Sequence, residues 1–512
     1  MSTNKSVARS ATVISFATLI SRILWFIRDM VIARLFGVYA IAQAFVIAFR
    51  IPNLFRDFIG EGATNAAFVP VFTEYHLKRT KEEFWHLANI VLNALLVALS
   101  IITLLGVAFS PFIVRLMAPG FVSDPQKFAA TITLTRWIFP YLLLICLAAY
   151  AMGILNSLKH FALPAFAPCL LNISIIIFAL LFGEGIKGLA LGVLVGGVLQ
   201  LAVQVPLLYF KGMRWRPQMD FNHPGLRQIF KLMVPRTLSS GIYQLNNFVD
   251  SIFGSLVFIV GEGGVAVLYF SYRLIQFPLG LFSTALSQAI LPTFSAQALE
   301  KDSADLRRTL SWGLRATFFV LIPASVAFIV LAKPIVATIF GGGKFDSYSS
   351  DLTASALVFY SIGLFAYGAK RIIQSCFFAL KDTITPTKIA GLALLLNIIL
   401  NTALMFPLKI AGIALATSLS GIISCAMLLK TLRNRIGDFG DKQVALSFLK
   451  ILASSIAMGI VCYFVSRHLA GMNKFLQLAI EVAFVMLSYI IFCLFFRVSE
   501  LGELLRWVFR KK

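Results

Sequence analysis

SRILWFIRDMVIARLFG at Ser21–Gly37, followed after a short break by AFRIPNLFRDFIGEGATNAAFVPVFTEY at Ala48–Tyr75, decides how the chain is read. Both segments are apolar over a helical length, yet they carry Arg22, Arg28, Arg50 and Arg56. The spacing Arg-x5-Arg-Asp occurs twice, at Arg22, Arg28 and Asp29, and again at Arg50, Arg56 and Asp57. At about 100° per residue, positions seven apart share a helical face. Arg22 and Asp29 are therefore expected on one face, and Arg50, Asp57 and Glu61 on another wherever Pro52 does not bend the helix. Neighbouring residues on a helix point apart, so Arg28 with Asp29, or Arg56 with Asp57, is expected to pair only between helices. An arginine at the centre of a bilayer costs about 3 kcal/mol or more. Four of them need a shared reason, and a water-filled cavity that binds an anion supplies one.

The rest of the composition agrees with a membrane location. Of 512 residues, 59% are hydrophobic and 13% charged, where soluble domains carry about 25% charged residues. Apolar runs of about 20 residues recur from end to end, each able to cross a core of about 30 Å. The fold class is an all-α polytopic membrane protein. The formal charge of +23 then marks cytoplasmic loops and not nucleic-acid binding. We place fourteen spans at 9–35, 41–72, 86–110, 133–155, 161–182, 187–209, 229–257, 265–292, 309–331, 350–379, 385–406, 409–430, 445–465 and 472–495. Most loop Lys and Arg then fall on one side, which puts both termini in the cytoplasm. The first apolar run is broken by Arg22 and Arg28 and lacks a small-residue cleavage pattern, unlike a signal peptide.

A repeat with an offset of about 225 residues runs through the chain. Pro52-Asn-Leu-Phe55 returns as Pro278-Leu-Gly-Leu-Phe282, and Phe68-Val-Pro70-Val-Phe72 as Ile290-Leu-Pro292-Thr-Phe294. Trp85 answers Trp312, Lys159 with Pro164 answers Lys381 with Pro386, and Leu171-Asn172 answers Leu396-Asn397. Each unit holds six spans, so both enter the membrane in the same sense, as two transporter lobes do. The expected division is an N-lobe at 1–210, a cytoplasmic linker at 211–231, a C-lobe at 232–435, and two further spans with an amphipathic tail at 436–512. Trp215, Leu226, Ile229 and Phe230 suit either an interfacial or a solvated linker.

In the second lobe the matching cation is Arg273, within YRLIQFPLG, whose Pro278 breaks the helix much as Pro52 does. Asp250, Arg236 and the pair Lys370-Arg371 complete the intramembrane charges. Cations outnumber Asp29, Asp57 and Glu61, and an excess of arginine suits phosphate, which its planar fork of donors matches. The six cysteines and five histidines show no metal-ligand spacing, which argues against a metalloenzyme. No GxxxxGK[ST] loop is present, and GGGK at Gly341–Lys344 is too short for one. No cofactor is expected; an ion gradient, the membrane potential or substrate supply drives the process.

These residues resemble the N-terminal signature of the MurJ/MviN family. The similarity continues through APGF (Ala118–Phe121), FPYLLL (Phe139–Leu144), NSLKHFALPAFAP (Asn156–Pro168), YRLIQFPLG (Tyr272–Gly280) and KDTITPTK (Lys381–Lys388). The resemblance implies a two-lobed transporter of the MOP superfamily with fourteen spans. It implies an activity too: flipping lipid II, the undecaprenyl-pyrophosphate-linked peptidoglycan precursor, across the bacterial inner membrane, without a bond made or broken. Its expected partners are lipid II and membrane lipids, with the protein acting as a monomer. By motif position it assigns Arg22, Arg28, Arg56 and Arg273 to substrate binding, with Arg50 at another basic place. Asp29, Asp57 and Glu61, with Pro52 and Pro278, are expected in gating or structural roles. Asp250 is the candidate for a sodium site, with Na+ or Cl− as coupling ion, and the last two spans are expected to line a groove for the polyprenyl tail.

The chain departs from that pattern at Gln43, Tyr272 and Gln276, which stand where acidic residues are usual, and at Trp25, where a small residue is usual. Rival classes are a flippase for another polyprenyl-pyrophosphate-linked glycan, a cation-coupled exporter, an enzyme of polyprenyl-phosphate metabolism and a scaffold. A cationic cavity repels cationic drugs, the enzyme would need an acidic or histidine cluster that the sequence does not show, and buried arginines would be an expensive way to build a scaffold.

Overall fold

A computed structural model describes residues 3–56, 67–183, 185–300, 303–469 and 471–503, with backbone alone at 3–11 and 234–243. The described chain is helical almost throughout and divides into two units. The first is Met1–Val257 with Gly343–Phe345, the second Phe258–Gly342 with Asp346–Lys512.

The first unit holds α1 (Thr3–Phe36), α2 (Ala40–Arg56), α3 (Val69–Lys78), α4 (Lys81–Ala108), α5 (Ser110–Met117), α6 (Pro125–Ile138), α7 (Tyr141–Ser157), α8 (Ala162–Phe182), α9 (Ile186–Ala202), α10 (Val205–Lys211) and α11 (Pro224–Ser255). Local chemistry sets several starts. Thr80 caps α4 by accepting from Glu83 N at 3.2 Å, while the Glu83 carboxylate accepts from Thr80 N at 3.0 Å. Asp124 caps α6 ahead of Pro125, whose missing N–H costs nothing in a first turn. α8 and α9 pack closely because Gly188, Gly192 and Gly196 recur every fourth residue. A Cβ at Gly192 would lie 2.8 Å from Ile175 Cα, and one at Gly196 2.9 Å from Leu171 Cα. Aromatic rings fill the core around α3, α4 and α7, where Phe68 and Phe72 each meet Tyr150 edge-on. The buried Tyr150 hydroxyl donates to Ala88 O at 2.6 Å, so its polar end is not left bare.

The stretch after α10, which the sequence leaves open between an interfacial and a solvated linker, is strapped to α4. Asn89 and Asn93, one turn apart and both buried, hold it. Asn89 donates to Arg214 O at 3.0 Å and accepts from Arg216 N at 2.8 Å. Asn93 donates to Arg216 O and Gln218 O, and accepts from Trp215 Nε1 at 3.0 Å. The loop's backbone polar groups thus find partners without regular secondary structure.

The chain passes through α12 (Val257–Val260) into the second unit. That unit holds α13 (Gly264–Pro278), a π-helical turn (Leu279–Thr284), α14 (Ala285–Gln297), α15 (Ala304–Val330), α16 (Ala332–Ile339), α17 (Ser347–Ile362), α18 (Leu364–Ala379), α19 (Ile384–Ile436), α20 (Asp441–His468) and α21 (Lys474–Phe495). Pro278 removes one ladder donor, and the wider turn after it absorbs the change. Pro52, by contrast, lies inside α2, which continues to Arg56. α19 is two helices joined at Lys409, whose φ of 52° and ψ of −129° are not helical. After α21 the chain turns back into the unit. Glu500 there is buried and accepts from Arg315 Nη1 at 2.9 Å and from Ser447 Oγ at 2.8 Å, with Glu503 3.4 Å from the same Arg315 atom. The expected interfacial tail therefore begins inside the protein at Glu500 and Leu501, and 504–512 lie outside the described residues.

Among the described residues nine helical stretches are long and apolar enough to cross a membrane, or ten with the pair α17 and α18, bent by 44°. The chain is thus an all-α polytopic membrane protein. The fourteen expected spans differ from this number for three reasons. α1 carries the charges already noted, α2 has only 17 residues before the undescribed 57–66, and the 53 residues of α19 count as one stretch across Lys409.

Two outcomes follow from this packing. Replacing Asn89 and Asn93 together with alanine frees the strap, and trypsin is expected to cut after Arg214 at least about tenfold faster, given about 1 kcal/mol for each hydrogen bond lost; Arg216 precedes Pro217 and is not a tryptic site. Glu500→Ala leaves Arg315 buried without its main carboxylate. A loss of about 3 kcal/mol, read as a lower melting temperature in detergent, is expected, while Glu503→Ala, at a half-exposed site, changes it little.

Candidate functional site

The arginines of α1 and α2 have distinct surroundings. Arg22 is exposed and forms no hydrogen bond or ion pair among the described residues. Arg28, one and a half turns on, is only 2% exposed, and Asp29 only 1%. Its Nε and Nη2 both donate to Asp29 Oδ1, at 3.1 and 2.7 Å, and its Nη1 donates to Asn172 Oδ1 on α8 at 3.2 Å. Its guanidinium lies 5.6 Å from the centre of the Phe49 ring on α2.

The Arg28–Asp29 pair corrects the expectation that adjacent residues pair only between helices. The Cβ atoms do point apart, but arginine has enough rotatable bonds to curl back to its neighbour. With both groups cut off from water, the ion pair outweighs the usual side-chain direction. The face shared by Arg22 and Asp29 brings no contact between them: Asp29 turns inward to Arg28, and Arg22 stays outside.

Arg50 is half-buried, and its Nη1 donates to Asn247 O on α11. Arg56 is half-buried at the last described position of α2. Asp57 and Glu61 lie outside the described residues, so their assigned roles stay at the level of sequence. Gln43 is fully buried on α2. Asp250 is half-buried on α11, in the first unit. Pro52 is buried, and the next residue, Asn53, donates its side-chain amide to Phe49 O at 2.8 Å.

In the second unit Arg273 is half-buried on α13. Its Nη1 donates to Gln276 Oε1 and its Nη2 to Tyr269 Oη, both at 3.0 Å. Gln276 thus orients the guanidinium without contributing a negative charge of its own. The Tyr272 ring lies 5.5 Å from that of the buried Tyr360. Arg371 Nη1 donates to Thr284 Oγ1 in the π-helical turn after Pro278, tying that break to α18.

Four buried charged groups escaped the sequence reading. Arg315 on α15 and Glu500 find each other across 185 residues, a separation no local pattern reports. Lys127 on α6 is buried with its ammonium 4.4 Å from the centre of the Phe121 ring. Glu481 on α21 is 1% exposed and accepts from Ser466 Oγ and Gln477 Nε2 at 2.7 and 2.9 Å. A lone acid in an apolar run was the available signal for Glu481, as a lone base was for Arg315.

The chemistry of this set is binding, not bond-making. Arginine forks at partly open positions, held by neutral or carboxylate neighbours within helices, suit an oxyanion brought in by a ligand. Comparison with known proteins gives that chemistry a family. The family model described as "Lipid II flippase MurJ" matches residues 32–498. A probable lipid II flippase MurJ of Buchnera aphidicola subsp. Acyrthosiphon pisum is 35% identical over 460 residues, covering 89% of each chain. The lipid II flippase MurJ of Burkholderia cenocepacia is 35% identical over 435 residues, 83% of this chain and 84% of that one. Among solved structures, a lipid II flippase MurJ in an inward closed conformation matches with a TM-score of 0.80 at 30% identity, over 94% of this chain and 98% of the other. An inward-facing multidrug resistance MATE transporter of the MOP superfamily shares the fold alone, with a TM-score of 0.65 at 19% identity over 82% of this chain and 96% of that one. The match runs through nearly the whole chain, and the chain belongs to the lipid II flippase MurJ family.

Proposed function

We propose that the protein carries lipid II, the undecaprenyl-pyrophosphate-linked peptidoglycan precursor, from the cytoplasmic to the outer leaflet of the bacterial inner membrane by alternating access. Family membership makes it a transporter and not an enzyme. The observation that carries the substrate reading is the placement of arginine on membrane helices, with Arg22 exposed and without an internal partner among the described residues. Cations in such positions suit a ligand that brings its own negative charge. Pyrophosphate does so, and arginine binds it through paired donors. In this reading Arg22, Arg28, Arg50, Arg56 and Arg273 form the binding set of a central cationic cavity between lobes at 1–210 and 232–435. The spans number fourteen, with both termini cytoplasmic.

Each residue then has a defined task. Arg22 meets the headgroup first, because no internal bond must break. Asp29 and Asn172 hold the Arg28 fork in a fixed orientation, and Arg28 exchanges part of that pairing for the pyrophosphate. Gln276 and Tyr269 orient Arg273 without cancelling its charge. Arg50 and Arg56 extend the set, while Asp57, Glu61, Pro52 and Pro278 serve the gate or the helix breaks. The polyprenyl tail stays in lipid beside the last two spans, so no charged group crosses hydrocarbon, where desolvation is prohibitive. Rocking of the lobes carries the headgroup across, driven by a Na+ or Cl− gradient or by the membrane potential, with Asp250 as the ion-site residue.

Translocation of lipid II in proteoliposomes tests the reading. Arg22→Gln and Arg273→Gln are each expected to slow translocation about tenfold or more, as the loss of one charge-assisted hydrogen bond of about 2 kcal/mol requires, with folding unchanged. Wild-type rates in both variants overturn the assignment. Asp29→Asn is expected to act differently: it leaves Arg28 buried with a weaker partner, so melting temperature and translocation fall together.

A further inference from the structure

A second cationic site lies on the first unit, apart from the arginines of α1 and α2. A cavity of about 360 Å³ is lined by His76, Arg79, Thr80, Lys81, Phe84, Trp85, Leu158 and Lys211. No carboxylate is among its lining residues. Lys81 and Lys211 make no ion pair among the described residues, and Arg79 reaches the half-exposed Glu83 only at 3.9 Å. Glu83 itself is turned to the cap of α4, where it accepts from Thr80 N. The positive end of the α4 dipole adds to the field. That field is felt nearby: burial first, and then the Lys211 ammonium, hold the His160 imidazole below its ordinary value.

The backbone keeps the site open. Gly212 ends α10 with φ of 110°, a conformation that L side chains rarely adopt. A Cβ there would lie 3.3 Å from Trp85 Nε1 and 3.4 Å from Lys81 Nζ, so an indole N–H and an ammonium stand together over bare backbone. The Trp85 N–H has no acceptor among the described residues. The cavity is therefore supplied with donors and cations and lacks an anion.

Its position selects the ligand. It lies where α4 begins and α7 and α10 end, at the extremity of three membrane-length stretches. Strongly exposed apolar groups sit beside it, with Leu77 and Phe210 standing 73% and 82% free and Tyr209 also exposed. Aromatic and basic residues at helix ends mark headgroup depth, and basic pockets between such ends take lipid phosphates. We propose that this cavity binds the phosphodiester headgroup of an anionic glycerophospholipid in the leaflet at this face. Lys81 and Lys211 neutralise the phosphate, Trp85 Nε1 donates to it, and the acyl chains run down past Tyr209 and Phe210. The site is separate from the pathway arginines, so it acts as a lipid anchor and not as a stage of translocation.

Native mass spectrometry of the purified full chain, offered equal amounts of phosphatidylglycerol and phosphatidylcholine with the same acyl chains, tests this. The wild type is expected to retain phosphatidylglycerol about tenfold better. K81Q/K211Q should bring that preference to about twofold or less, K81R/K211R should restore it, and Trp85→Phe should weaken it by a smaller factor. R308Q/K333Q removes as much charge from exposed sites elsewhere and should leave the preference intact. An unchanged preference in K81Q/K211Q, or an equal loss in R308Q/K333Q, overturns the proposal. Displacement of phosphatidylglycerol by millimolar inorganic phosphate overturns it as well, since the site then serves a soluble anion. Equal melting temperatures across the variants show that each reading comes from folded protein.

Discussion

An arginine side chain is stable within a membrane helix only if other groups take over the hydrogen bonds that water would make. That requirement governs how α1, α2, α11 and α13 are built. Arg28 satisfies it inside the protein, through Asp29, Asn172 and the face of Phe49. Arg273 donates to Gln276 and Tyr269. Arg50 uses the backbone carbonyl of Asn247. Arg22 is exposed, and its donors are left to water or to a ligand. The four arginines thus range from the buried Arg28 to the exposed Arg22.

The same principle accounts for charged groups with no place in the transport proposal. Arg315 and Glu500 fasten the segment after α21 to α15 and α20. Such a pair adds little net stability compared with a well-packed apolar core, yet removing one partner is costly. It thus fixes where the chain goes more than how stable the unit is. Asn89 and Asn93 do similar work with neutral groups, giving an irregular loop the partners that a helix would have provided internally.

Much of this was legible in the sequence, because hydrophobic length and helix breakers act locally. The boundary expected between 406 and 409 falls at the non-helical Lys409, and the break expected at Pro278 falls at the π-helical turn. The repeat and the arginine motif pointed to the family that the comparisons then gave. Side-chain partners were less legible. Helical-wheel reasoning gave the direction of each Cβ but not the reach of arginine, so it missed the Arg28–Asp29 pair. Arg315 with Glu500, and Asn89 with Arg216, depend on tertiary packing over long sequence separations that no window of sequence contains. Gln276 was read as a lost counter-charge; it proves also to be a hydrogen-bond partner that keeps Arg273 in place.

The central claim is that these membrane-embedded arginines serve a pyrophosphate. The most direct measurement compares binding of lipid II with that of an uncharged analogue, in which a neutral linker replaces the pyrophosphate, to the purified full chain in nanodiscs. The account predicts that the wild type binds lipid II at least about tenfold more tightly than the neutral analogue, and that Arg22→Gln with Arg273→Gln narrows the gap to about twofold. Equal binding of the two ligands by the wild type, or an undiminished gap in the double variant, would contradict it.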